Sequence, residues 1–215
     1  MHHNHKQLNM NKLLVIIAFC FLSLNLFSQG LIGTSSSLVI VYNYPDNYFY
    51  VALDGKDKRK TEQESIFIID NRLVQVHALN KDKFLEDNSK VKSQKDIIMT
   101  YIDWESNYLK STFNFDINSK IEPIVTKSGN EVIFWSYDMP TGEPEIKTDT
   151  TTTTPTEKQM FILRMVKNYV VGINTPLFES EQYQSNKEYL LTNIDHIVET
   201  NKEIDLEELF KQLGQ

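Results

Sequence analysis

Two histidines, His77 and His196, carry the side chains beyond the first thirty residues that could act as a general base or a neutral metal ligand. Nucleophilic catalysis would need a serine activated by one of them, and the sequence contains no Gly-x-Ser-x-Gly motif. His196 follows Asp195 among apolar residues at helical spacing, so we expect a solvated histidine on the polar side of a helix. His77 shares a strand face with Gln75, so we expect it on the surface of a sheet, with a role as ligand or base as the alternative.

Metal-binding patterns are equally sparse. Zinc sites combine several histidine, cysteine or carboxylate ligands, and the single cysteine, Cys20, lies in the N-terminal segment. Asp54 and Asp57 could offer calcium two carboxylates, but four basic side chains within residues 56–60 crowd this position, which indicates a charged turn. The seven glycines occur singly, so no phosphate-binding loop is indicated. We therefore expect no cofactor and no metal.

Carboxylates leave one enzymatic alternative open. A chain with 29 acidic residues can bring two of them together without any trace in the sequence. A carboxylate-based or metal-assisted hydrolase therefore stays an alternative, which a close pair of buried carboxylates in a cleft would favour.

Aromatic residues crowd around one turn, at Tyr42, Tyr44, Tyr48, Phe49 and Tyr50. Packing in the core or on a sheet face accounts for most such clusters. Tyrosine is also enriched at protein interfaces. We name Tyr44, Tyr48 and Tyr50 as the candidate surface for a partner protein.

The N-terminal segment has the order of a secretory signal peptide: basic and histidine residues, an apolar run over residues 13–22, and small residues at its end. We predict a signal peptide over residues 1–30, with Met1 or Met10 as the start. A membrane anchor is the alternative, but a bilayer crossing needs roughly 20 apolar residues. Lipidation at Cys20 is a second alternative, although a bulky phenylalanine precedes this cysteine where lipoproteins have a small residue.

Residues 31–215 then form a single domain without cysteine, so no disulfide stabilises it. Loss of Lys6 and Lys12 with the signal peptide moves the formal net charge from −7 to −9. Nucleic-acid binding needs a basic surface, so we expect no nucleic-acid partner. No membrane span is expected after cleavage, and the oligomeric state is left open.

Strands dominate the predicted domain. Runs of alternating or β-branched residues end at turn pairs such as Asp70-Asn71 and Lys167-Asn168, which are typical of two-residue hairpins. The predicted strands cover residues 37–44, 48–53, 66–69, 73–79, 113–117, 121–126, 132–137, 160–166 and 169–174. Residues 141–158 are rich in threonine and contain two prolines, which predicts a long mobile hairpin loop.

Three segments have helical periodicity. Ser93 and Asp96 resemble a capping box before a long amphipathic helix over residues 97–109. Apolar residues over 190–198 recur at helical spacing and predict a second helix. Asp205 is a suitable N-cap for a short final helix with apolar residues over 206–213.

The order of elements from residue 127 to residue 200 resembles that of PsbP-like and DcrB-type proteins. A hairpin strand at residues 132–137, an edge loop, strands at 160–163 and 169–173 and a closing helix carry this resemblance. It implies an α+β domain with an antiparallel sheet of about six to eight strands, flanked by a long central helix and C-terminal helices. It also implies an accessory or binding protein, and it transfers no functional residue because this group shares no catalytic set.

The end of the predicted signal peptide, Leu-Phe-Ser-Gln, resembles exported proteins of the Bacteroidota. In that group the sequence Asp-Thr-Thr resembles an acceptor for O-glycosylation, and Asp149-Thr150-Thr151 lies in the threonine-rich loop. Thr150 is therefore a candidate glycosylation site, with an unmodified polar loop as the alternative.

Together these patterns predict an exported, non-enzymatic binding or accessory protein. We expect it in the periplasm, with an envelope-associated or extracellular location as alternatives. An envelope protein is the expected partner. The hydrolase and a purely structural envelope protein, which would self-associate, are the two other classes.

Overall fold

The computed structural model describes residues 30–63, 65–85, 93–113, 117–139 and 156–213. Strands make up nearly half of the described chain. In chain order they are β1 (Gly30–Gly33), β2 (Ser37–Tyr44), β3 (Asn47–Asp54), β4 (Lys58–Lys60), β5 (Ile66–Ile69), β6 (Arg72–Asn80), β7 (Ser119–Val125), β8 (Glu131–Asp138), β9 (Lys158–Val166), β10 (Tyr169–Leu177) and β11 (Ile197–Thr200).

The strands form two antiparallel sheets. The larger sheet has seven strands in the order β4-β5-β6-β10-β9-β8-β7, and the smaller has four in the order β1-β2-β3-β11. The described residues also form three helices: α1 (Gln94–Phe113), α2 (Tyr183–Ile194) and α3 (Leu206–Leu213). Short 3-10 turns lie at Lys81–Lys83 and Ser180–Gln182. The expected α+β class, with a sheet of six to eight antiparallel strands and flanking helices, is confirmed. The separate four-stranded sheet was not predicted.

Turn chemistry explains why neighbouring strands pair. Asp70 and Asn71 have φ values of 47° and 64°, and Lys167 has a φ of 52°. Such left-handed backbone in two-residue turns matches the twist of the flanking strands. Ile69 accordingly pairs with Arg72, and Val166 pairs with Tyr169. The predicted hairpins at these turns are confirmed.

Three apolar clusters hold the layers together. One face of the larger sheet packs against the smaller sheet and α2, with Phe49, Phe134 and Val171 among the fully buried side chains. The opposite face of the larger sheet is covered by α1, around Trp135. The third cluster joins α3 to the outer face of the smaller sheet through Leu209. The order of layers is therefore α1, larger sheet, smaller sheet with α2, and α3.

The predicted caps mark the starts of α1 and α3, whereas α2 runs from Tyr183 to Ile194 and differs from its prediction at both ends. Ser93 Oγ accepts the Asp96 backbone N–H at 3.1 Å, as the predicted cap of α1 requires. The helix predicted over residues 190–198 stops at Ile194, and residues 197–200 form β11 instead. Residue 113, predicted in a strand, ends α1. None of the helices in the described part of the chain has the length and apolar character that a bilayer crossing requires.

Two predicted segments, the signal peptide and the threonine-rich loop, lie mostly outside the described residues. The signal peptide at 1–30 lies outside the described residues up to residue 29, and residue 30 already belongs to β1. The threonine-rich segment connects two paired strands, since Asp138 of β8 lies opposite Lys158 of β9. Its residues 141–155, including Thr150, lie outside the described residues.

Candidate functional site

The three tyrosines predicted to form one surface lie on two faces of the smaller sheet. Pro45 and Asp46 make a two-residue turn, so Tyr44 pairs with Asn47. Tyr48 is one residue further along β3, and successive side chains of a strand point to opposite faces. Tyr44 therefore shares the inner face with the core, whereas Tyr48 and Tyr50 lie on the outer face. The predicted three-residue surface does not form as a unit.

Tyr44 belongs to the aromatic packing between the two sheets. Its ring stacks on Tyr169 of the larger sheet, with 4.4 Å between ring centroids and 8° between ring planes. Tyr42 stacks on Phe49 with centroids 4.8 Å apart, and both are buried. Burial raises the pKa of the Tyr44 hydroxyl above its usual value. The expectation that most of this aromatic cluster serves packing fits Tyr42, Tyr44 and Phe49.

A groove opens on the outer face of the smaller sheet, between its β11 edge and α3. We call it the α3 groove; its free volume is about 200 Å³. Tyr50, Val198 and Thr200 line it from the sheet. Tyr50 and Val198 are direct partners in the β3–β11 ladder, and Val198 is 41% exposed. An apolar floor thus stays open to solvent beside a helix.

The helix wall of the α3 groove is fixed by hydrogen bonds that need specific side chains. The Asn43 side chain bonds both backbone groups of Ile204, with Nδ2 donating to the carbonyl and Oδ1 accepting from the N–H, each at 3.0 Å. Asp205 Oδ1 accepts the backbone N–H groups of Glu207 and Glu208, at 2.8 and 3.0 Å. Leu209 packs into the sheet below. The start of α3, and with it the groove, is held at a defined position.

The rim of the α3 groove is acidic. Glu203, Asp205 and Glu208 line it, against the one cation Lys202, so the charged lining residues sum to −2. The backbone hydrogen bonds from Glu208 and Glu207 hold the pKa of Asp205 below its usual value, which keeps this carboxylate ionised. The apolar floor and the negative rim thus line the same groove.

Tyr48 lies beside the groove on the same face. Lys167 Nζ is 5.7 Å from the centre of the Tyr48 ring, and it donates to the Thr200 carbonyl at 2.5 Å. This lysine is therefore engaged with the floor. Of the predicted surface residues, Tyr50 lines the groove, together with residues that the sequence did not single out as a site: Val198, Glu203 and Glu208.

His77 is not on a sheet surface, contrary to the sequence prediction. It is fully buried between β6 and α1, and its Nε2 lies 3.2 Å from the Tyr101 hydroxyl oxygen. Burial lowers the pKa of His77 to about 4, so the imidazole is neutral near neutral pH. The β10 backbone at Gly172 passes so close that a methyl group there would lie 2.1 Å from His77 Cε1. His77 is enclosed by protein on the side of β10.

The same sheet face carries a row of buried amides that the sequence did not reveal. Gln159 donates to Asn174 at 2.8 Å, Asn174 donates to Gln75 at 3.2 Å, and Gln75 donates to Ser65 at 3.0 Å. Because each buried amide satisfies the next, the row is a structural network that links β9, β10 and β6.

His196 is half-exposed, but it lies in the turn between α2 and β11 and not on a helix. Its Nδ1 is 3.4 Å from Asp54 Oδ1, a surface ion pair when the imidazole is protonated.

The charged turn that contains Asp54 and Asp57 is held by a carboxylate of the next hairpin. Asp70 Oδ1 accepts the backbone N–H groups of Lys56 and Asp57, at 3.0 and 2.9 Å. These two hydrogen bonds, of which the bond from Asp57 has the larger effect, hold the pKa of Asp70 below its usual value. Among the described residues, no three histidine, cysteine or acidic side chains are grouped to hold a metal ion.

No family model matches the sequence, and no curated protein gives a significant match. Among solved structures, the chain is similar to the solution structure of cyanobacterial PsbP (CyanoP) from Synechocystis sp. PCC 6803. The two share 9% sequence identity over 80% of this chain and 96% of that chain, with a TM-score of 0.44. PsbP-like proteins are also the group that the order of elements in the sequence resembles. The likeness identifies no functional residue of this chain.

Proposed function

We propose that this chain is an exported, non-enzymatic binding protein of the periplasm or cell envelope, and that it holds a protein partner at the α3 groove. The observation that carries the proposal is the open apolar floor at Val198 beside a negative rim. Protein interfaces combine an apolar centre with a polar rim in this way.

The size of the α3 groove favours a protein partner over a small-molecule substrate. Ligand pockets usually have volumes of roughly 300 to 1,000 Å³, and this groove has about 200 Å³. A volume of this size accepts one side chain of a partner. The exposed faces of the smaller sheet and of α3 would then supply the surrounding contact.

The hydrolase alternative needs two carboxylates close together in a cleft. Among the described residues, Glu105 of α1 is the one buried carboxylate. The carboxylates at the α3 groove lie on an exposed rim, and Asp205 already caps a helix. The groove therefore favours binding over hydrolysis.

Partner capture from intact cells tests the binding function. We expect one envelope protein to be enriched with the wild-type chain after chemical cross-linking and to be lost with Val198→Asp, which places a charge on the apolar floor. Val125→Asp is the matched control, because Val125 of β7 is 68% exposed and does not line the α3 groove. Equal recovery of the same protein with both variants would contradict the proposal.

Export is tested separately by fractionation and N-terminal sequencing. We expect the protein in the periplasmic fraction, with its first residue between positions 29 and 31. A chain that stays in the cytoplasm and keeps its N-terminus would contradict export, whatever the result of the partner capture.

A further inference from the structure

The lining of the α3 groove indicates which group of a partner protein it would bind. We infer that the groove binds the side chain of one arginine or lysine that the partner protein presents. This inference rests on the proposed binding function and names the group that is recognised.

Arginine and lysine match the groove because both are amphipathic. Their methylene stems pack on apolar surface while the charged head stays at a polar edge. In the groove, Val198 and Leu209 offer apolar surface for the stem, and Tyr50 offers an aromatic ring. A cation over a tyrosine ring is attracted by the negative face of that ring. The free volume of about 200 Å³ is that of a single long side chain.

The charge of the rim selects the sign of the occupant. Glu203, Asp205 and Glu208 outnumber Lys202 among the charged lining residues. The electrostatic free energy of entering the groove is therefore favourable for a cation and unfavourable for an anion. A purely apolar side chain would leave the excess negative charge of the rim uncompensated. An acidic side chain would face three like charges. Charge complementarity therefore favours a basic residue over these occupants.

The test uses N-acetyl-L-arginine amide as the probe and the protein as it is isolated from cells. Backbone amide shifts in a nuclear magnetic resonance titration report where the probe binds. We expect saturable shifts at Val198, Thr200 and Glu208, with a dissociation constant on the order of 1 mM for so small a ligand. N-acetyl-L-citrulline amide, which has nearly the same shape without the charge, should bind at least about fivefold more weakly.

Matched variants distinguish the effect of the rim carboxylates on probe binding from the effect of the protein's overall negative charge. Replacing both Glu203 and Glu208 by glutamine should weaken binding of the arginine probe on the order of fivefold. Glu207→Gln should leave it unchanged, since Glu207 lies on the same helix but does not line the groove. All three positions are exposed, so the variants are expected to fold.

Several outcomes would overturn the inference. They are equal binding of the arginine and citrulline probes, no binding at the groove, or no effect of the two glutamine substitutions. Self-association abolished by Val198→Asp would identify a second copy of this chain as the occupant and would also overturn it. If a cellular partner is lost with Val198→Asp while the arginine probe fails, the binding function stands and the inference about its chemistry falls.

Discussion

The contact between Gly172 and His77 gives the most quantitative prediction. Gly172 of β10 pairs directly with His77 of β6. A Cβ atom at position 172 would lie 2.1 Å from His77 Cε1 and 2.3 Å from Nε2, and 2.9 Å from a methyl carbon of Leu163. Non-bonded carbon atoms are most stable at about 3.5 to 4.0 Å. Gly172→Ala therefore forces a shift of more than an ångström between two paired strands.

The expected cost follows from the surroundings of this contact. Adding a methylene to a packed core costs about 1 to 3 kcal/mol. His77 is held between the sheet and α1, and β10 is paired on both sides, so we expect Gly172→Ala to lower the free energy of unfolding by about 3 kcal/mol. For a chain of this size that corresponds to a fall in Tm of roughly 6 to 12 °C.

A double-mutant cycle identifies the cause. His77→Ala removes the ring that the new methyl group would strike. In that background we expect Gly172→Ala to cost less than about 1 kcal/mol, or to stabilise, because alanine is favoured over glycine within a strand. The coupling free energy should therefore be about 2 to 3 kcal/mol.

Urea denaturation followed by tryptophan fluorescence measures all four proteins. Gly33→Ala is the control, because nothing lies within 4 Å of the Cβ position there, and at this end of β1 it should be neutral or stabilise by less than about 1 kcal/mol. A cost of Gly172→Ala that is the same with and without the His77 ring would refute this reasoning.

Three further predictions concern pH, a helix cap and the groove. Burial lowers the pKa of His77 to about 4 in the folded protein, against about 6.5 in the unfolded chain. The free energy of unfolding should therefore be highest above about pH 6.5 and fall by about 3 kcal/mol as the pH drops toward 4. Urea titrations of His77→Phe should lack this loss. Ser93→Ala should cost about 1 kcal/mol by removing the α1 cap, whereas equal stability of Ser93→Ala and Ser93→Thr would contradict that role. Val198→Asp and Val125→Asp should both unfold within about 0.5 kcal/mol of wild type, because both sites are exposed; a large loss at Val198 would show a structural residue.

Local signals in the sequence predicted the elements whose cause is local. Asp70, Asn71 and Lys167 adopt the left-handed backbone that two-residue hairpins require. The pairs Asp70-Asn71 and Lys167-Asn168 therefore predicted both a turn and the pairing of the flanking strands. Ser93 and Asp205 predicted the starts of two helices because their side chains bond the first free N–H groups. Such features need no knowledge of the distant chain.

Features that depend on distant contacts were missed. The face with Gln75 and His77 looks solvated because both are polar, yet α1 covers it and the polar groups bond one another or Tyr101. Val198 continues the helical spacing of α2, but pairing with Tyr50 draws it into β11. Neither contact leaves a trace in the nearby sequence.

The split of the tyrosine cluster could have been found from the sequence. A two-residue turn at residues 45–46 makes Tyr44 face Asn47, and strand alternation then places Tyr48 and Tyr50 on the other side. The acidic rim is different. Residues 203–208 are visibly acidic, and the apolar spacing of α3 indicates that it packs on a sheet. Which sheet face it covers depends on contacts such as Asn43 with Ile204, across 161 residues of chain.

Site-specific photo-cross-linking in living cells shows whether a partner protein lies at the α3 groove. A photoreactive amino acid would replace Lys202, at the rim of the α3 groove, and in a second strain Val125 of β7. We expect one cross-linked envelope protein from position 202, absent from position 125 and absent when position 202 is combined with Val198→Asp. The same products from both positions, or a product at 202 that Val198→Asp leaves unchanged, would show that the α3 groove does not hold the partner.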